Sequence, residues 1–354
     1  MKLAIVGTGL IVSLVAQHLP SWGWPVCAVC GTPDTTDQVE AVATQLGAPE
    51  RWTDYDEMLA STSANVIYVA VPNFLHYDFC LRALNAGKSV IVEKPMASNF
   101  PQAQAMAKLA RQKGLFLFEA LTTLHSPNLA KIAELLPSLG EPHIVEVNYS
   151  QYSSRYNAFR EGTVLPAFDP AKSGGALMDL GVYGLAWTCA LFGEPFSARY
   201  EANIDRAIDT SGIVSLDYGT FKASVICAKD CAGPSGTLIE GTCGYLRQDT
   251  PPNECGPVTL HLNDGTEKRF DLTPSVNWEP EFRDFAAIME AEDLGACYRL
   301  LDTSLTISKV QTQARLSAGV RFPADDDNAA GASSSCVAGP ADSPSSDVAA
   351  GCRS

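Results

Sequence analysis

The sequence predicts an α/β doubly wound parallel sheet followed by an α+β domain with an open, mostly antiparallel sheet. Three observations predict it. Short, wholly apolar runs alternate with helical patterns over the first 120 residues, longer segments of alternating polarity follow, and 354 residues exceed the ~250–300 that one hydrophobic core usually serves.

The candidate parallel strands are Lys2–Val6 (KLAIV), Val26–Cys30, Val66–Val71 (VIYVAV), Ser89–Val92 and Leu115–Phe118. Strands this uniformly apolar need cover on both faces, and the intervening helices supply it. One helix, Leu75–Ala86, ends at Gly87. Another is capped by Ser98 or Asn99, carries Pro101 in its first turn and stops at Gly114. The first helix should present Leu10, Ile11, Leu14, Val15 and Leu19 on one face. Beyond Leu121 a helix at Asn128–Leu136 stops at Pro137. Strand-like segments then follow at 144–152, 197–204, 212–217, 221–228, 236–240 and 258–262, with turn signals at Tyr218-Gly219 and Asp264-Gly265. A helix containing Gly181 interrupts them, and helical patterns return at 279–290 and 303–316. The expected division is 1–120, 121–323 and a low-complexity tail at 324–354, which has too few large apolar groups to offset the entropy of ordering.

Composition narrows function. Twenty-five Lys and Arg against 40 Asp and Glu leave a net charge of −15. Nucleic acid and anionic membranes are bound through clustered Lys and Arg, so neither is an expected partner. The apolar run Leu3–Ala16 holds mid-run glycines, with one Lys before it and no small-x-small cleavage site after it. No stretch reaches the ~18–20 apolar residues of a membrane span. A cytoplasmic protein is expected. Eleven cysteines, odd in number and irregularly spaced, fit a reducing compartment. Cys27 and Cys30 lie inside a strand run without the further Cys or His of a zinc set, and His18, His125, His143 and His261 share no ligand spacing, so no metal site is expected.

Val6-Gly7-Thr8-Gly9-Leu10-Ile11-Val12 follows the first strand and opens a helix. Gly7 permits the tight turn, Gly9 lets backbone approach a pyrophosphate, and helix-terminal N–H groups face the phosphates. This placement predicts a dinucleotide site, with Thr8, Leu10 and Ile11 beside it and Val12 in place of a third glycine. At the end of the second strand, Cys30, Gly31 and Thr32 offer no carboxylate for a ribose diol. The cofactor is therefore NADP or NAD, with NADP preferred; Asp34 is the residue that would reverse the preference.

Two further segments carry chemistry: Val71-Pro72-Asn73-Phe74-Leu75-His76, running on to Glu93-Lys94-Pro95, and Gly174-Gly175-Ala176-Leu177-Met178-Asp179-Leu180-Gly181-Val182-Tyr183. With the N-terminal glycines they resemble the Gfo/Idh/MocA oxidoreductase family across residues 1 to about 322. Tyr183, where the commoner pattern has histidine, together with Phe118-Glu119-Ala120, is similar to the dihydrodiol dehydrogenase and NADP-dependent xylose dehydrogenase branch. The resemblance implies a Rossmann domain plus an open sheet whose outer face forms a homodimer or higher homo-oligomer. It also implies Lys94, Asp179 and Tyr183 as catalytic residues, and a sugar, cyclic polyol or dihydrodiol as substrate. Cofactor contacts would fall at Gly31, Thr32, Val71, Pro72, Asn73, His76, Glu93, Lys94 and Ala120. Some family members bind dinucleotide without turnover and act through protein partners, so a regulatory protein is the alternative.

The residues support part of this on their own. Lys94 follows a parallel strand and so stands at the carboxyl edge, where ligands of such sheets bind. Asp179 and Tyr183 are spaced i, i+4, on one helical face, and Gly181 between them leaves room for a flat ring. A tyrosine of pKa ~10 is a poor base near neutrality, and a nearby ammonium would favour its phenolate. For substrate, Arg155 and Tyr156 are the candidates beside Lys94, Asp179 and Tyr183, with Lys172 a weaker one.

Overall fold

The structure, a computed structural model, describes residues 1–326. Apart from its first three positions, the expected tail lies outside the described residues.

The first layer alternates strand and helix: β1 (Leu3–Val6), α1 (Leu10–Val15), β2 (Val26–Cys30), α2 (Thr36–Leu46), β3 (Glu50–Trp52), α3 (Tyr55–Ser61), β4 (Val66–Val69), α4 (His76–Asn85), β5 (Ser89–Glu93), α5 (Phe100–Lys113) and β6 (Leu117–Ala120). All six strands pair in parallel, in the order β3-β2-β1-β4-β5-β6. The order reverses between β1 and β4, which opens a crevice at their carboxyl ends. The Asn99 side chain caps α5 by accepting from the Gln102 amide at 3.1 Å, and Gly114 closes the helix in the left-handed conformation.

Some boundaries differ from expectation. β3 is too short and too exposed to stand out in the sequence. β4 stops at Val69, short of Val71, as the chain turns away toward Pro72. In α1 the core side is Val12, Val15 and then Leu19, while Leu10 is 68 % exposed and Leu14 faces outward, so the expected apolar face is rotated.

The second layer comprises α6 (Pro127–Leu135), β7 (Pro142–Ser150), α7 (Tyr156–Arg160), a π-helical turn at Leu177–Gly181, α8 (Val182–Phe192), β8 (Ser197–Asp205), β9 (Ile208–Asp217), β10 (Lys222–Ala228), β11 (Gly236–Gly241), β12 (Gly244–Gln248), β13 (Val258–Leu262) and β14 (Glu267–Phe270). Two helices follow, α9 (Glu279–Glu290) and α10 (Leu294–Ser317). The sheet order is β14-β13-β12-β11-β7-β10-β9-β8, and β7–β10 is its parallel pair. The expected turns at Gly219 and Gly265 are present with positive φ. β12 and the polar edge strand β14 were not expected.

α8 lies against the inner face of this sheet, so closely that a Cβ on Gly184 would stand 2.5 Å from Val225 Cγ1. By length and composition the run Pro170–Phe192 could span a membrane, contrary to the sequence expectation, but 72 % of its apolar window is buried in the protein. α9 and the start of α10 pack instead on the first sheet, where Phe282, Phe285 and Cys297 join Leu3, Ile5, Tyr68 and Phe118. Farther along α10, Ile307, Val310 and Ala314 belong to the core of the second sheet. After α10, Asp325 pairs with buried Arg315 at 2.7 Å and Asn99 donates to the Ala324 carbonyl, so the folded body includes the first residues assigned to the tail.

Candidate active site

Three adjoining cavities follow the carboxyl edge of the first sheet. The largest, about 570 Å³, is walled by Gly7, Thr8, Gly9, Gly31, Thr32, Val71 and Pro72, all expected, and by Thr35, Asp54 and Tyr55, which were not. The next, 320 Å³, holds Leu10, Ile11, Asn73, His76, Glu93, Lys94, Ala120, Asp179 and Tyr183 together with Trp278 and Glu281. The third, 270 Å³, is lined by Arg155, Lys172, Asn73 and Asp179. Tyr156 is not in its wall; it packs against Phe159 and Phe168.

The turn that walls the first cavity requires its glycines. Gly7 has φ +114°, and a Cβ there would lie 2.3 Å from the Ala70 carbonyl oxygen. A Cβ on Gly9 would meet nothing within 4 Å, so the backbone there is open to a close-fitting ligand. Gly31 is packed by Thr35 and Val39, leaving no space for a longer side chain. Thr32 and Thr35 form a reciprocal capping box. Asp34 does not line the cavity, and Asp54 accepts the Glu57 amide at 2.9 Å to cap α3.

In the second cavity Lys94 directly follows β5 and precedes a cis bond to Pro95. Its ammonium donates to Asp179 Oδ1 at 2.9 Å and to the Asp179 carbonyl at 3.0 Å, and lies 4.8 Å from the centre of the Tyr183 ring. The sequence motifs gave no sign of the fourth member. Lys229, just past β10 and 2 % exposed, donates to Asp179 Oδ2 at 2.7 Å and to the Ala167 carbonyl at 3.1 Å. Burial alone would raise the Asp179 carboxyl, but the two ammonium groups hold it far below the carboxylate range. Burial pulls Lys94 down, while Tyr183 and Asp179 more than offset this and hold it charged.

Burial pushes the Tyr183 phenol up, and the pull of Lys94 offsets only part of that. The sequence expectation of a lowered tyrosine is therefore reversed. Gly181 also differs from expectation. A Cβ there would meet Leu177 Cδ1 at 2.8 Å and Cys227 Sγ at 3.3 Å, so this glycine seats the π turn against β10 and does not admit a ring. The π turn carries Asp179, and Tyr183 begins the α8 that follows; both still reach Lys94.

The remaining expected residues brace the site. His76 is fully buried, its ring nitrogens 2.9 Å from the Pro95 and Val71 carbonyls, and burial lowers its basicity. Glu93 accepts the Tyr68 hydroxyl at 2.6 Å and the Lys94 amide at 3.3 Å, and burial raises its carboxyl. Asn73 donates to the Ser173 carbonyl at 3.2 Å, linking the Val71–His76 segment to the one that begins at Gly174.

Family models match both halves of the chain. Residues 1–121 match an oxidoreductase family with an NAD-binding Rossmann fold, and residues 134–247 match the GFO/IDH/MocA C-terminal domain. The scyllo-inositol 2-dehydrogenase (NADP(+)) IolU of Bacillus subtilis is 33 % identical over 80 % of this chain and 87 % of its own. The chain belongs to the Gfo/Idh/MocA oxidoreductase family. Like its family it is an NAD(P)-dependent oxidoreductase. Another Gfo/Idh/MocA relative, the trans-1,2-dihydrobenzene-1,2-diol dehydrogenase of Oryctolagus cuniculus, is 28 % identical over 91 % of this chain and 99 % of its own. The fold is shared with KijD10, a 3-ketoreductase from Actinomadura kijaniata solved with NADP and TDP-benzene. That match has a TM-score of 0.77 at 22 % identity and covers 90 % of this chain and 97 % of the other.

Proposed function

We propose that this protein interconverts the CH–OH and C=O groups of a small polyhydroxylated compound, a sugar, cyclic polyol or dihydrodiol, with Tyr183 exchanging the proton. The observation that carries this reading is the position of Lys94, bonded to Asp179 and beside the Tyr183 ring in a cavity that the Gly7–Ile11 segment also approaches. Bound nicotinamide supplies or accepts the hydride. Tyr183, protonated by burial, is ready to donate to a carbonyl being reduced. In the oxidative direction it must first lose that proton, and the Lys94 charge favours the loss. Asp179, gripped by two lysines, fixes Lys94 so that one N–H remains for the substrate oxygen. A dinucleotide-binding regulator would need the glycines but not this arrangement.

NADP is the proposed cofactor, because the wall just past β2 carries Gly31, Thr32 and Thr35 and no carboxylate to hold a ribose diol, and Asp54, the one carboxylate of this cavity, caps α3. The name of the relative IolU supports this choice. The test is a panel of aldoses, inositols and arene dihydrodiols assayed with NADP and NAD separately, following absorbance of the reduced nicotinamide. Turnover of a panel member with NADP supports the reading. Tight cofactor binding with no turnover of any member favours the regulator.

A further inference from the structure

Glu281 sits on α9, in the wall of the 320 Å³ cavity, with 1 % of its surface exposed. Its Oε2 is buried and makes no hydrogen bond. Four other polar side chains of this cavity are engaged: Glu93 by Tyr68, Asp179 by two lysines, Asn73 by the Ser173 carbonyl, and Thr122 by the Asn253 carbonyl at 3.2 Å. An orphaned buried carboxyl oxygen costs about 1–3 kcal/mol, a cost that a bound group can remove. Glu281 lies outside every motif that identified the rest of the site.

The chemistry of the carboxyl narrows what that group is. Burial, with Glu93 and Asp284 nearby, pushes it well above the carboxylate range and so favours its protonated form. A neutral carboxyl offers one O–H donor and one carbonyl acceptor side by side. The complement of that pair is a primary carboxamide, which presents one C=O acceptor beside an N–H donor. The cavity also includes Leu10 and Ile11, from the segment that follows the Gly7-Thr8-Gly9 turn, and shares Val71 with the cavity bounded by that turn. The candidate substrate residues Arg155 and Lys172 line the neighbouring cavity.

We propose that Glu281 binds the carboxamide of the nicotinamide through this paired hydrogen bond and so fixes which face of the ring meets Tyr183 and Lys94. The proposal rests on the NAD(P) dependence of the family and not on the choice of substrate.

The test is equilibrium binding to the full chain, by calorimetry, of three probes: NADP, its 3-acetylpyridine analogue, in which methyl replaces the amide NH2, and 2′-phospho-ADP-ribose, which lacks the ring. The wild type is expected to bind NADP about tenfold more tightly than the analogue, the loss of about one satisfied buried hydrogen bond. Glu281→Leu should weaken NADP about tenfold, abolish the discrimination between NADP and the analogue, and leave the ringless probe within about twofold. Glu281→Gln keeps a donor and an acceptor and should stay close to wild type. Unchanged NADP affinity and discrimination in Glu281→Leu overturns the proposal. So does equal weakening of all three probes, which would mark a structural role for Glu281, or intact cofactor binding with a raised substrate KM. The substrate panel fails or succeeds independently of these affinities.

Discussion

Lys229 holds the Asp179 oxygen that Lys94 does not, through a 2.7 Å bond made at a position that solvent barely reaches. The carboxylate thus carries two positive partners, and removing one leaves the other to compensate it. Lys229→Met should cost about 1–3 kcal/mol. That is toward the low end for a broken buried pair, because Asp179 still opens onto the cleft. Urea unfolding measures it. The same variant should raise the pH at which Asp179 titrates and lower kcat more than it raises KM; a change in KM alone would contradict a positioning role.

Tyr183→Phe removes the exchangeable proton and little else. The expected loss in kcat/KM is about 10²–10⁴-fold, with cofactor affinity unchanged. In the wild type, alcohol oxidation should quicken as pH rises above neutrality, because burial keeps the phenol protonated, whereas carbonyl reduction should not gain. A pH–rate profile in both directions checks this, and the rise in oxidation should vanish in Tyr183→Phe.

Glu119 is 6 % exposed, accepts the Met96 amide at 2.7 Å and leaves Oε2 unpartnered. Burial raises its carboxyl to about 7 from an ordinary 4.5. Between those values the native state binds more protons than the unfolded chain, so this group's contribution makes stability fall as pH rises from about 4.5 to about 7. Glu119→Gln should remove that part of the slope and unfold at higher urea than wild type at pH about 8. Urea midpoints at several pH values decide it, and an unchanged slope refutes it.

Thr32→Asp keeps a side-chain acceptor for the Thr35 amide and so preserves the cap. It places a carboxylate where a 2′-phosphate would bind. NADP affinity should fall about tenfold relative to NAD, as calorimetry with each cofactor would show.

The outer face of the eight-stranded sheet exposes Ile144 and Ile213, with Tyr245 stacked on His261 at 4.4 Å. A second copy of the chain packing on this face is the expected partner. Light scattering at micromolar concentration should give a dimer, and Ile213→Lys a monomer; a wild-type monomer would refute it.

The parallel sheet was legible because its strands are apolar on both sides, a pattern few other structures produce, and because Asn99, Gly87 and Gly114 punctuate the helices. The glycine turn and the cluster of Lys94, Asp179 and Tyr183 were legible as motifs. Lys229 and Glu281 were not. Each reaches the cleft through tertiary packing, one from the end of an antiparallel strand and the other from a helix more than 90 residues beyond Tyr183 in the chain. Nothing local distinguishes them from an ordinary charged residue. Gly175 and Gly181 were visible, yet their reasons were not: Asp209 Oδ1 fills the space of a Cβ at Gly175, and Leu177 and Cys227 crowd that of Gly181.

α10 runs 24 residues without a break and lends its first half to one sheet and its second half to the other. A rod shared in this way makes the two halves a single mechanical unit. Neither sheet can melt without exposing part of the same helix, so the chain should lose both cores in one cooperative transition. The gap between Lys94, just past a strand of the first sheet, and Asp179, on the π turn against the second, is in effect a fixed gauge.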